Sequence, residues 1–296
     1  MDEARPTDAR RRLLNAANPR GGWGERAGVP SRAEPTALAC LALAGETSAE
    51  APLALAARWL AARQGPDGAV TAAEALPGVA WATPHALLAW RSLGVDREAQ
   101  KRAARCLLAR SGAVSEADAV VGHDQSLIGW SWVEGTHSWV EPTAWAILAL
   151  ASTGDRGHPR VEQGLALILD RSIPTGGWNY GNRTVFGRAL RPHPGPTGLA
   201  LLALAHLGGP TPPAVTKAIC YLKDVLPATR AGGSLAWGVM GLKAWGAAPP
   251  ESPRWLATAL DDSDHPDQVS RKAALLLASA QDPLARFGLK AGNAPR

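Results

Sequence analysis

The sequence predicts an all-α fold: an α/α toroid (an α6/α6 barrel) of six helical hairpins, arranged as an inner and an outer ring. Three observations predict it. Oily and amphipathic helical segments alternate along the chain, six of each. A helix with one polar face can lie against water, whereas a helix without one must be covered all round or line an apolar cavity. No segment alternates with a period of two over any length, so no sheet is expected. Helix-pair repeats also build open superhelical solenoids, but six pairs and an inner set this oily favour a closed ring. The 296 residues are read as one domain over 1–296, with the toroid over about 8–281 and a short tail over 282–296.

The amphipathic members run over 8–17, 51–64, 97–110, 160–171, 213–225 and 252–262. In the fifth, Val215, Ile219 and Leu222 share one face while Lys217 and Lys223 lie away from it. The oily members are expected over Thr36 to Gly45, His85 to Gly94, Thr143 to Gly154, Thr197 to Gly208, Ser234 to Gly246 and Val269 to Ala280. Five end at or near Gly, which suits the left-handed residue that closes a helix. Several begin just after Pro, which suits a first turn that needs no N–H. Two connections, about 111–139 and 178–196, are long for links between helices, and long ordered loops are often functional.

Composition narrows the function. The formal net charge is +5, from 25 Arg and 6 Lys against 26 acids, and the basic residues are scattered. The one run, Arg10 to Arg12, falls on a helix, so a solvated face is expected and no nucleic-acid partner. A weak attraction to anionic membrane surfaces stays open. Cys40, Cys106 and Cys220 form no close pair, which argues for a reducing compartment. The N-terminus has no apolar core, and the longest oily runs are about ten residues, too short to span a bilayer. A soluble, cytoplasmic protein is expected, with peripheral membrane contact left open.

Other residues carry a family likeness. "RWLAARQGPDGAV" (58–70) resembles the QW repeat of squalene and oxidosqualene cyclases: Arg58, Leu60, Gln64, Asp67 and Gly68 match, and Val70 stands where the tryptophan would be. "LLNAANPRGGWG" and "LILDRSIPTGGWNYG" keep the Gly-Gly-Trp end without the Gln. With the Pro-Thr starts of the inner helices, nearly the whole chain resembles the terpenoid cyclase and protein prenyltransferase superfamily. The resemblance implies an apolar central cavity and an isoprenoid-like small-molecule partner.

It also frames the chemistry. The prenyltransferases it resembles hold zinc through Asp, Cys and His; the cysteines here are scattered and no Asp-x-Cys pair exists, so no metal and no cofactor are expected. The cyclases it resembles protonate an alkene or epoxide with the middle acid of an Asp-x-Asp-Asp-Thr motif. That motif is absent. Aligned on the threonine, "WVEPTA" (139–144) puts Glu141 on the proton donor and Pro142 on the last Asp, and Glu34 in "RAEPTA" holds the same register. Asp264, in "DDSDHPD", is the second candidate donor. At a helix start, free N–H groups lower a carboxyl pKa, whereas burial in an apolar cavity raises it. The plainer role for both glutamates is to satisfy the first turn of their helices.

Tryptophans are the other clue, with twelve against two Tyr and two Phe. Trp23, Trp81, Trp130, Trp132, Trp139 and Trp178 precede inner helices, where they would rim one mouth; Trp145, Trp237 and Trp245 lie on them. Aromatic faces stabilise cations, so Trp130, Trp132, Trp139, Trp145 and Trp237 are candidates to hold a substrate cation, against a plainer role in filling gaps between hairpins. His85, His123, Asp124, His137 and His193 form a candidate polar set near the same rim. Arg183, Arg188 and Arg191 could grip a diphosphate or simply be solvated. The expected function is an isoprenoid-handling toroid acting as a proton-initiated cyclase with an altered acid motif. The alternatives are a non-catalytic lipid-binding or scaffold toroid and, more distantly, a carbohydrate-active α6/α6 enzyme.

Overall fold

A computed structural model describes residues 4–73, 81–115, 122–207, 210–261 and 268–288. Twelve α-helices appear among them. The inner helices are α2 (Ala33–Leu43), α4 (Thr83–Leu93), α6 (Val140–Thr153), α8 (Pro194–Leu204), α10 (Gly232–Ala244) and α12 (Val269–Ser279). The outer ones are α1 (Ala4–Asn15), α3 (Glu50–Ala61), α5 (Arg97–Ala109), α7 (Pro159–Asp170), α9 (Pro213–Val225) and α11 (Ser252–Leu260). Each inner helix packs on the next, and α12 packs on α2, so the inner ring is closed. An open spiral would leave those two helices apart. Each of α3, α5, α7, α9 and α11 lies against the two inner helices that flank it. One feature departs from the all-helical expectation: β1 (Thr184–Val185) and β2 (Arg188–Ala189) pair as a minimal antiparallel hairpin. Two residues per strand are too few to show a period.

The inner helices are buried almost throughout. In α8, every residue from Gly195 to Leu204 is buried. Five of the six start two or three residues earlier than the apolar pattern alone suggests, since residues such as Glu34-Pro35 and Glu141-Pro142 belong to the first turn, whereas α12 starts at Val269 as expected. A proline there loses no hydrogen bond, since the first N–H groups have no partner within the helix.

The repeated threonines act as clamps. The hydroxyl of Thr36 accepts the Trp23 backbone N–H at 2.9 Å and donates to the Trp23 carbonyl at 3.1 Å. Thr143 makes the same pair of bonds with Trp130, and Thr197 with Trp178. Thr83 accepts from Val70, which occupies the tryptophan's place. In each Trp case the indole N–H reaches an outer-helix carbonyl: Trp23 to Leu13, Trp130 to Leu107, Trp178 to Ile168. The glycine before the tryptophan leaves room for the clamp; a Cβ on Gly22 would lie 2.8 Å from Thr36 Oγ1, and one on Gly177 2.7 Å from Thr197 Oγ1. The unit therefore ties one outer helix, one loop and one inner helix together at the N-terminal end of the inner ring.

The opposite end is closed. The turn Leu284–Phe287, beyond the last inner helix, packs against α4, α6 and α10. Phe287 is fully buried and lies 6.4 Å from the Trp145 ring, and Arg286 donates to the Ala44 carbonyl at the end of α2.

Candidate active site

With one end plugged, the N-terminal starts of α2, α6, α8, α10 and α12 open onto a cavity of about 1410 Å³. Leu38, Leu199 and Leu235 supply apolar wall, and Glu34 and Glu141 line the same space. Both glutamates are the second residue of their helix, following an extended Arg32 or Trp139. Neither makes a capping hydrogen bond, and neither has a hydrogen-bond or ion-pair partner among the described residues. Arg32, the nearest candidate partner in sequence, pairs with Glu25 instead at 3.5 Å. The expectation that the acids satisfy the first turn is therefore not what the geometry gives.

Burial decides the protonation of both acids. It raises the Glu141 carboxyl to about 7. It also raises Glu34 to about 7, with repulsion from Glu25 and Glu141 adding and Arg32 opposing. The two carboxyls repel one another when both are ionised, so their titrations are coupled. Loss of hydration at the cavity wall outweighs the lowering that a helix start would impose. At neutral pH each acid is close to half protonated, a condition for donating a proton.

The aromatic candidates divide. Trp237 lines the cavity. Trp145 is buried behind it, with its ring edge-on to Trp237 at 5.1 Å and His85 at 4.2 Å on another side. His85 is buried and held neutral, its imidazole lowered to about 4 by burial against a hydrogen bond to the Trp81 backbone. Trp130 does not reach the cavity: its indole bonds the outer helix, and the Arg160 guanidinium lies 4.2 Å over its ring. Trp130 and Trp132 instead line a separate small pocket between α4 and α6, where Trp132 meets Trp81 edge-on at 5.4 Å. Trp139 ends the loop before α6, stacked on exposed His137 at 4.8 Å and pressed against Gly181. Of the proposed cation-holding set, only Trp237 borders the cavity.

The polar set does not gather there either. Asp124 is exposed and bonds Ser126, while its carbonyl accepts from Arg171 at 2.8 Å. His123 lies near Arg171 and Arg183, and burial followed by these cations lowers it to about 4. His193 stacks at 5.4 Å on Tyr180, which does line the cavity. Asp264 lies outside the described residues. Arg188 and Arg191 are exposed, and with Arg183 lie outside the cavity wall. The arginines that line it are Arg230, Arg254 and Arg271, joined by Trp255. Sequence reasoning passed over all four. A signal was available: Arg271 interrupts the first turn of an otherwise oily inner helix, and Arg230 stands just before the bare Gly232-Gly233.

The closed double ring of six inner and six outer helices is an α/α toroid, with Glu34 and Glu141 on the wall of its cavity. No protein-family model and no curated protein matches the chain. Among solved structures it is similar to the type II terpene cyclase MstE from Scytonema, at 15% identity over 96% of this chain and 98% of that one, with a TM-score of 0.63. A variant of MstE in complex with geranylgeranyl dihydroxybenzoate gives 14% identity, 96% and 97% coverage and a TM-score of 0.64. ent-Copalyl diphosphate synthase from Streptomyces platensis is 22% identical, over 86% of this chain and 50% of that one, with a TM-score of 0.50. At these identities the likeness is one of fold. No helix among the described residues is long and apolar enough to cross a membrane.

Proposed function

We propose that this protein is a proton-initiated isoprenoid cyclase with Glu141 as the acid. The observation that carries the reading is the pair Glu34 and Glu141: without a hydrogen-bond or ion-pair partner among the described residues, lining one cavity and raised to about 7. A carboxyl serving only the fold would accept hydrogen bonds from its helix start and would ionise readily.

In this mechanism an isoprenoid enters the mouth and displaces water from the cavity. Loss of water keeps Glu141 protonated until an alkene is in reach. The acid proton passes to a terminal alkene carbon, leaving a tertiary cation and a Glu141 carboxylate. The π electrons of the following double bonds close the rings. The last cation loses a proton, so the net reaction is an isomerisation, and the acid is recharged through the open mouth. The Trp237 face borders the path of the positive charge, where a dry cation–π contact contributes up to about 2 kcal/mol. Glu34 supplies a second carboxyl close enough for its charge to oppose that of Glu141. It takes the part of the neighbouring acid that Pro142 removes from the motif.

Incubation with squalene and with polyprenyl diphosphates, followed by mass spectrometry of the products, tests this. Wild type is expected to form cyclic isomers, and Glu141→Gln to lose at least about a hundredfold in rate, the lower end for removal of a general acid. Equal product from both proteins removes Glu141 from the mechanism. Ligand retained without turnover by wild type converts the reading to a lipid-binding toroid.

A further inference from the structure

The cavity is polarised. Glu34 and Glu141 stand on α2 and α6, while Arg230, Arg254 and Arg271 stand on the wall made by α10, α11 and α12. Glu251 and Asp261 belong to the same wall as the arginines, so among the described residues its cations exceed its acids by one (three against two). We infer that the ligand of this cavity bears an anionic head group, a diphosphate or a carboxylate, held by Arg230, Arg254 and Arg271 over the start of α10.

Four observations support the site. Arg230 and Arg254 are exposed at the mouth and form no ion pair among the described residues. Arg271 is fixed by a bond from Nη2 to the Ala259 carbonyl at 2.7 Å. Its guanidinium lies on the bare Cα of Gly232, so that a Cβ there would be 2.6 Å from Nε and 3.2 Å from Cζ. The space in front of Gly233 is open, with nothing within 4 Å of a Cβ built there.

The backbone adds to the charge. α10 has thirteen residues and begins Gly-Gly-Ser with no side-chain cap, and Gly232, Gly233 and Ser234 of its first turn line the cavity beside the guanidinium. The Ser270 hydroxyl, at the start of α12 on the same wall, is buried without a partner among the described residues. A helix start alone attracts anions weakly. Guanidinium groups beside it give the charge-assisted, two-point contacts that diphosphate and carboxylate oxygens accept. A neutral hydrocarbon would make no use of the Arg230 and Arg254 charges, which form no ion pair among the described residues. The tail's identity rests on the isoprenoid reading above, whereas the head group does not.

Calorimetric titration of the full chain with three C20 probes sharing one tail tests the inference: geranylgeranyl diphosphate, the corresponding carboxylic acid and the neutral alcohol. At least one anion is expected to bind about tenfold or more tightly than the alcohol, and the tighter of the two identifies the head. Arg254→Gln and Arg230→Gln, at exposed positions that carry no packing, should each remove most of that advantage and leave alcohol binding unchanged. Arg271→Gln should do the same, with its fold checked by circular dichroism. Equal affinity of both anions and the alcohol, equal weakening of all probes by the arginine variants, or no binding of any probe overturns the inference. The Glu141→Gln product assay fails independently. Anion binding without turnover removes the cyclase reading alone, and turnover of squalene with no anion preference removes the head group alone.

Discussion

At the scale of single residues, Thr143 and Glu141 lie two positions apart and serve opposite ends. Thr143 holds the Trp130 backbone by both its N–H and its carbonyl, in a fully buried setting. Replacing it with Val keeps the shape and leaves a buried N–H unanswered. The expected loss is about 1–3 kcal/mol, and Thr143→Ser should recover most of it in urea denaturation. Glu141 costs stability where Thr143 supplies it. Its folded pKa is raised above the ordinary value of 4.5, so the folded state holds more protons than the unfolded one between pH 4.5 and about 7. Stability therefore falls as pH rises through that window and stays lower above it. Glu141→Gln and Glu34→Gln should raise Tm at pH 8 and change it little at pH 4. A Tm gain that is the same at both pH values would mean that neither carboxyl is held in its neutral form by the fold.

At the scale of elements, the sequence discloses the helices better than it discloses what their ends do. Hydrophobic period separates inner from outer helices because complete burial leaves no polar face. It says little of the loops, where a tryptophan can rim a cavity or lock a hairpin. The register does. Trp23 and Thr36, Val70 and Thr83, and Trp130 and Thr143 are each 13 residues apart. That interval, shared by three of the four clamps (Trp178 and Thr197 are 19 apart), marks Trp130 as part of the clamp, and it was legible before any coordinates. The role of Trp139 and the sidedness of the arginines were not, since both depend on how separate loops meet across the ring. One contact between elements sets the cavity wall. α8 and α10 meet backbone to backbone at Gly198, where a Cβ would overlap the Trp237 carbonyl, and at Gly241, where one would lie 2.8 Å from the Gly198 Cα. Gly198→Ala must push the two helices apart. It should cost about 1–3 kcal/mol or more as overpacking and displace Trp237, which borders the cavity. Changed Trp emission together with a lowered Tm would report both effects.

At the scale of the whole molecule, closure of the ring distinguishes this chain from a stack of repeats. In an open solenoid, stability is a sum over neighbours, and removing a terminal pair leaves the remainder folded. Here α12 packs on both α10 and α2, α1 packs on α11 and α12, and the turn Leu284–Phe287 seals the inner ring against α4, α6 and α10. The first and last helices are thus neighbours, and the last hairpin completes the wall on which Arg254 and Arg271 stand. Ending the chain at residue 250 removes α11, α12 and the plug. It exposes one side of both α2 and α10, helices whose residues are buried almost throughout. A solenoid would lose helical signal in proportion to the residues removed and keep a cooperative transition for the rest. A closed ring should lose its near-ultraviolet Trp signal and its sharp melting together, because the buried faces of two further helices become wet. Phe287→Ala is the milder form of the same test. It leaves every helix in place and removes the side chain that packs the turn against the inner ring, at an expected cost of about 3–5 kcal/mol for a fully buried Phe. If the truncated chain still melts sharply with its Trp signal intact, the ring does not behave as one cooperative body, and the cavity's two walls would then be free to exist apart.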